Sequence, residues 1–226
     1  MAVDSSAAHG PSRNLSTLDI YRRIGVDMLG LAPSSLWVDV DDYYRHNGDP
    51  WLTTTAGTGD ETTVGSEAGG VFRINSGGNG TKMHSAGGSV TNTKTKKFYI
   101  AVRMQITVTP DASSNAVFGI RDLAGGDTVC VGGLGSLSTT HFVIQYDGAL
   151  TGTSANVVAV DTSYHIYEFW NDDRATYKYR VDGGAVASAT PVAGVTGSPT
   201  LFRRSSDNAV DHPLFLDWHV CLGERA

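Results

Sequence analysis

The chain has 226 residues, enough for one large β-domain or two small ones, and a formal charge of −6 at pH 7. With 40% hydrophobic and 18% charged residues, disorder over most of its length is excluded, and 27 glycines without a three-residue period exclude collagen. The acidic balance disfavours a nucleic-acid surface, which needs clustered Lys and Arg.

Residues 1–14 are small and polar and carry neither a basic start nor an apolar run, so a secretory signal is not expected. No stretch of about 18 apolar residues occurs, so no membrane-spanning helix is expected either. The expectation is a chain made and folded in a reducing cytosol, with Cys130 and Cys221 as buried thiols in apolar strands. From Leu15 to Leu29 the pattern is helical. Ser16 or Thr17 can cap the start, Asp19 lies in the first turn, and Gly30 can end it. Leu18, Tyr21, Ile24, Met28 and Leu29 form one apolar stripe, weakened by Gly25.

From Leu36 onward the period is two. Val71–Ile74 is short and stops at a Gly-rich turn, and residues 98–108 then alternate strictly until Pro110. Val117–Arg121, Thr128–Val131 and His141–Tyr146 follow. Tyr164–Trp170 and Thr176–Val181 flank Asn171-Asp-Asp-Arg174 and read as a hairpin, and Asp182-Gly183-Gly184 turns the chain again. Thr200–Arg203 and Leu214–Cys221 complete the set. A dozen or so short strands with no helix between them imply an all-β, antiparallel β-sandwich. Trp37, Phe98, Ile100, Val102, Phe118, Ile166 and Trp218 are the expected core.

The order of Trp51, Ala56-Gly-Thr-Gly59, Gly69-Gly-Val-Phe-Arg-Ile74, the long alternating strand and Val117-Phe-Gly-Ile-Arg-Asp122 is familiar. It continues with Tyr164-His-Ile-Tyr-Glu-Phe169 and Tyr177-Lys-Tyr-Arg-Val-Asp-Gly-Gly184. This series resembles the laminin-G-like, concanavalin A-like jelly-roll domains of tailed-phage structural proteins, over roughly residues 35–224. The resemblance implies two curved antiparallel sheets of six or seven strands each. It divides the chain into an N-terminal arm with a short amphipathic helix, 1–34, and a jelly-roll sandwich, 35–226.

Relatives of this fold include glycan hydrolases with Glu-x-Asp-x-x-Glu on the catalytic strand, where two carboxylates about 5–5.5 Å apart act as nucleophile and acid. Glu61, Glu67, Glu168 and Glu224 are the only glutamates here, and none has that spacing. Asp172 and Asp173, after Glu168, read as turn residues. Glu168 is therefore not expected to be a catalytic acid. Asp39, Asp41 and Asp42 are the densest acidic run and could be half of a Ca²⁺ site, or simply a solvated strand face. Asp122, Asp127 and Asp147 sit beside Gly-rich turns, as turn formers or loop ligands. None of the seven histidines has paired metal-ligand spacing, and His165 and His219 read as satisfied sheet histidines. No Gly-x-Ser-x-Gly elbow, P-loop or dinucleotide fingerprint is present. No metal or cofactor is expected. Tyr43, Tyr44, Trp51, Tyr146, Tyr164, Tyr167, Trp170, Tyr177 and Tyr179 could build a sugar platform, or pack across strands.

The resulting expectation is a non-enzymatic virion protein of a tailed phage, made in the host cytoplasm, that decorates the capsid. The major capsid protein or a tail protein is the expected partner, with a homo-oligomer and a surface glycan as further partners. Attachment is expected through residues 1–34, with Ile20, Ile24, Met28 and Leu29 supplying apolar contacts and Arg22 and Arg23 pairing with carboxylates. A chain beginning at Pro33 should then fold but bind particles weakly. The alternative is a carbohydrate-binding module of a tail or fibre. A divergent polysaccharide lyase or hydrolase is the third possibility.

Overall fold

The computed structural model describes residues 27, 29–41, 52–56, 60–64, 71–75, 81–85, 92–106, 114–121, 128–134, 138–148, 154–191, 195–196, 198–205 and 214–225. Among these, fifteen strands form two antiparallel sheets. One sheet has the order β13(Ala187–Ala189), β12(Tyr177–Val181), β11(Tyr164–Asn171), β6(Phe98–Ile106), β15(Leu214–Glu224), β4(Val71–Asn75), β3(Asp60–Val64). Its eighth strand, β1(Leu36–Asp41), pairs with the second half of β15, beyond the part that β4 occupies. The other sheet runs β10(Ser154–Ala159), β9(His141–Gly148), β8(Thr128–Leu134), β7(Ser114–Arg121), β14(Ser198–Ser205), β5(Thr81–Ser85), β2(Leu52–Ala56).

The main core lies between the sheets. Phe98, Ile100, Val102, Met104 and Ile106 of β6 meet Phe118 and Ile120 of β7 and Phe142 and Ile144 of β9. Tyr167 and Phe169 of β11 and Tyr177 and Tyr179 of β12 complete it, with rings set edge to face, as at Phe98–Phe169, 5.1 Å apart. The expected hairpin and turn are both present. Asp173 accepts the amides of Ala175 and Thr176 at 2.8 and 2.7 Å, and Asp182 and Gly183 both have positive φ, at 52° and 66°. Two consecutive positive φ values make the turn whose twist suits a two-residue hairpin.

Strict alternation fails along the first half of β6, where Phe98 to Val102 are all buried. The outer face of this sheet carries a second apolar layer: Leu29, Leu31, Leu36, Tyr99, Ala101, Trp170 and Leu222. A strand covered on both sides reads as a continuous apolar run. Leu29 is helical, Gly30 follows at φ 60°, and the Lys97 ammonium donates to the Leu29 carbonyl at 2.5 Å. These are the left-handed glycine and basic partner that end a helix. Leu29, expected at a partner contact, is instead 1% exposed inside this layer. Its apolar surface is removed from water by the sandwich itself. Ile20, Arg22, Arg23, Ile24 and Met28 lie outside the described residues or side chains.

Four of the expected core residues, Phe98, Ile100, Val102 and Phe118, lie in the main core, and Trp37 is half-buried against it. Ile166 and Trp218 are not there. Ile166 is out of phase with the inward Tyr167 and Phe169 and is half-buried. Trp218 joins the outer layer because the pairing of β15 with β6 shifts register between Leu216 and Trp218. One extra residue reverses the faces of every side chain that follows. Leu216 therefore points inward while His219 and Cys221 take the inner positions after the bulge, and both are buried.

Trp37 stands opposite Gly223 in the β1–β15 register. A Cβ on Gly223 would fall 2.4 Å from the indole ring, so the glycine is what lets the ring lie across the strand. Gly223→Ala should destabilise the fold by about 1–3 kcal/mol through overpacking. Chemical denaturation checks this, and a Trp37→Ala background should remove most of the effect.

Candidate functional site

The outer face of the eight-stranded sheet is divided in two. One half is closed by Leu29, Leu31 and Leu36 over Tyr99, Ala101, Trp170 and Leu222. The other half carries Tyr164, Ile166 and Arg103, with Trp218 at the boundary where it also packs against the closed half, all half-buried and on three adjacent strands. Arg103 is the cross-strand partner of both Ile166 and Trp218. Its guanidinium lies 4.5 Å from the centroid of the Tyr164 ring, a cation–π arrangement. The same group pairs with Asp217, the residue at the β15 bulge. The bulge thus brings an aspartate and an indole beside one arginine. This Tyr–Arg–Asp–Trp patch holds planar donors, an acceptor and aromatic surface in one place, and its single charges cancel.

Glu168 sits on the same face, nearer the closed half, and is buried. Arg180 on β12 holds both carboxylate oxygens, one of them at 2.6 Å, and the Tyr99 hydroxyl donates to Glu168 at 2.7 Å. Burial alone would raise the Glu168 pKa. The Arg180 and Tyr99 hydrogen bonds outweigh it and hold the carboxyl below the usual glutamate range. Tyr99 moves the other way: burial and the adjacent carboxylate push its phenol far above its ordinary value. Glu168 is therefore ionised at neutral pH, with no proton to give and both oxygens engaged. Its geometry is that of a structural ion pair across β11 and β12.

Several other acidic groups are committed in the same way. Glu224 accepts from the Lys97 amide at 3.1 Å and pairs with Arg174 at 3.2 Å and Lys96 at 3.4 Å. Lys178 pairs with Asp172 and, at 3.1 Å, with Asp173. His165 is held on both ring nitrogens, by Asp182 at 2.5 Å and Asp161 at 2.8 Å. It is a satisfied histidine, as expected. His219 is buried in β15.

Of the aromatic residues considered for a sugar platform, Tyr167, Tyr177 and Tyr179 are spent in the main core and Trp170 in the outer layer. Tyr177 hydrogen-bonds Thr93 at 2.5 Å, and burial pushes its pKa up to about 12. Tyr146 is half-buried against the core. Tyr164 alone of that group reaches the patch, while Tyr43, Tyr44 and Trp51 lie outside the described residues. Trp218 is added by the structure, because the bulge that turns it outward has no signature in the alternation. Asp39 and Asp41 lie in β1, with side chains outside the description, as is Asp42. No cluster of three or more potential metal ligands occurs among the described residues.

No family model matches the chain, and no curated protein matches it. Solved structures do. Peanut lectin with a 9mer peptide aligns at TM-score 0.56 and 13% identity, covering 83% of this chain and 97% of the lectin chain. A carbohydrate esterase from the Shiga toxin-encoding bacteriophage phi24B aligns at 0.52 and 10% identity, covering 83% and 97%. A protein of unknown function from Shewanella oneidensis MR-1 aligns at 0.59 and 12% identity, covering 96% and 95%. At these identities the likeness is one of fold. The chain is an all-β, antiparallel sandwich of the lectin-like jelly-roll class.

Proposed function

We propose that this chain is a non-enzymatic carbohydrate-binding module of a tailed-phage virion, carried on a tail or fibre, and that the Tyr164–Arg103–Asp217–Trp218 patch contacts the glycan. The observation that carries the reading is the patch itself. A sugar ring has an apolar C–H face suited to an indole, and hydroxyls that both donate and accept. Trp218 supplies the face, Arg103 the donors and Asp217 the acceptor, while Tyr164 keeps the guanidinium flat. Because Arg103 is neutralised by Asp217 and the chain is acidic overall, the fitting ligand is a neutral saccharide. The lectin-like fold and the phage esterase among its structural neighbours support the same reading. Glu168, locked by Arg180 and Tyr99, supports binding without cleavage.

A glycan array tests this directly. The full chain should retain one or more neutral glycans. Arg103→Ala, which removes a side chain 38% exposed, should weaken that binding by about tenfold or more, equivalent to about 1.4 kcal/mol, with folding kept. Equal binding by the variant would place the glycan elsewhere.

Capsid decoration is the second reading, with the major capsid protein as partner and residues 1–34 as the point of attachment. In this reading Leu29, buried in the outer layer, makes no contact with the partner. Particles lacking the protein, mixed with the full chain, would separate the two: recovery on heads favours decoration, recovery on tails favours the glycan module.

A further inference from the structure

We propose that Asp161, His165 and Asp182 form a proton-dependent clasp that holds the crossover between the two sheets against the edge hairpin β12–β13. His165 is on β11, Asp161 lies in the turn that brings the chain from β10 of one sheet to β11 of the other, and Asp182 opens the turn from β12 to β13. One imidazole therefore ties three points that are 4 and 17 positions apart in sequence.

The ring has both nitrogens directed at carboxylates. Only the protonated imidazole has two N–H donors, so only that form satisfies both contacts. The neutral ring must turn a lone pair toward one of the two aspartates. The clasp also grips the backbone. Asp182 accepts the Ile166 amide at 2.8 Å through its second oxygen, and its own amide donates to the Ile166 carbonyl at 2.8 Å. Asp161 accepts the Ser163 amide at 2.7 Å, fixing the crossover turn. Beyond this point β13 is a three-residue edge strand, exposed along most of its length and paired only to β12. The charges that act on the ring are those of Asp161 and Asp182. Phe142 of β9 packs on it edge to face at 6.0 Å, and Tyr167 of its own strand at 5.9 Å. The Tyr167 phenol is pushed far above its ordinary value by burial, then by Asp161 and Asp182, and stays neutral.

The signs are consistent with that geometry. Burial would lower the His165 pKa, but the two carboxylates outweigh it and raise it above 6.5. Asp161 is lowered by the Ser163 amide and then by His165. Burial would raise Asp182, but His165 and the Ile166 amide lower it below 3.8. The histidine contribution is thus complete below pH 6.5 and lost as pH rises through its higher folded value. The aspartate contributions are complete above pH 3.8 and lost as pH falls through their lower folded values. The clasp is closed in the mildly acidic range and opens toward alkaline pH.

Amide hydrogen exchange and the His165 ring signals, followed by NMR from pH 5 to 9 on the full chain, test this. The His165 midpoint should lie above 6.5. Protection at Ile166, Asp182 and Gly184, divided by intrinsic exchange, should fall about tenfold with that same midpoint. Asp161→Asn, at a half-exposed side chain in a turn, should lower the His165 midpoint without unfolding the chain. His165→Lys, which keeps a charge, should hold protection at alkaline pH. A His165 midpoint at or below 6.5, or protection at these amides that ignores the His165 titration, would overturn the clasp.

Discussion

Phe118→Ala is expected to lower the unfolding free energy by about 3–5 kcal/mol. Phe118 is 1% exposed, lies on β7 between β14 and β8, and points across the sandwich to Tyr167, with ring centroids 6.0 Å apart. The loss has two parts: the transfer of the removed ring atoms, and the cavity left where both sheets are fixed by their ladders. Tyr167 cannot follow into the space, since β11 is paired on both edges, to β6 and to β12. For a domain of this size the melting temperature should fall by about 10 °C, at about 2–4 °C per kcal/mol. Denaturant titration with an unchanged m-value checks it. A loss below about 1 kcal/mol would mean that the strand faces the other way.

Removing residues 1–32 is expected to have an effect of similar size, and not only on binding. The deletion takes away Leu29 and Leu31, both buried against Tyr99, Ala101, Trp170 and Leu222. At about 2 kcal/mol for each leucine, the loss is about 4 kcal/mol. It also deprives Lys97 of the Leu29 carbonyl. The shortened chain should melt lower and bind a hydrophobic dye through its uncovered outer face. If it melts like the full chain, the outer layer is dispensable and residues 1–34 form the separate arm that the sequence pattern suggested.

That contrast marks what the sequence could and could not disclose. The β6 strand, the Asn171–Arg174 hairpin and the Asp182-Gly183 turn were legible, because each has a local signal: period two in the sequence, turn formers, and positive φ at glycine. Leu52–Ala56 and Ser154–Ala159 were not read as strands. Thr, Ser and Ala give no apolar rhythm, so their pairing with β5 and β9 depends on the neighbours. The faces of Ile166 and Trp218 were misread for a related reason. An apolar residue fits either side of a sheet covered on both, and a single-residue bulge at Asp217 leaves no mark in composition. The candidate patch inherits that difficulty: Arg103, Tyr164, Asp217 and Trp218 converge only through the register of β6, β11 and β15. Glu168 was legible in part. Its lack of a second glutamate at catalytic spacing was visible, whereas its locking by Arg180 and Tyr99 required the sheet.

The proposed carbohydrate-binding module binds a neutral saccharide and leaves it intact. The measurement that bears on it most directly is recovery of array-selected glycans after prolonged incubation with the full chain, sized by chromatography. Retention on the protein and an unchanged chain length on release are expected, with retention weakened in Arg103→Ala. Shortened or unsaturated products that vanish in Glu168→Gln, with folding retained, would contradict it, as would failure of the full chain to retain any neutral glycan.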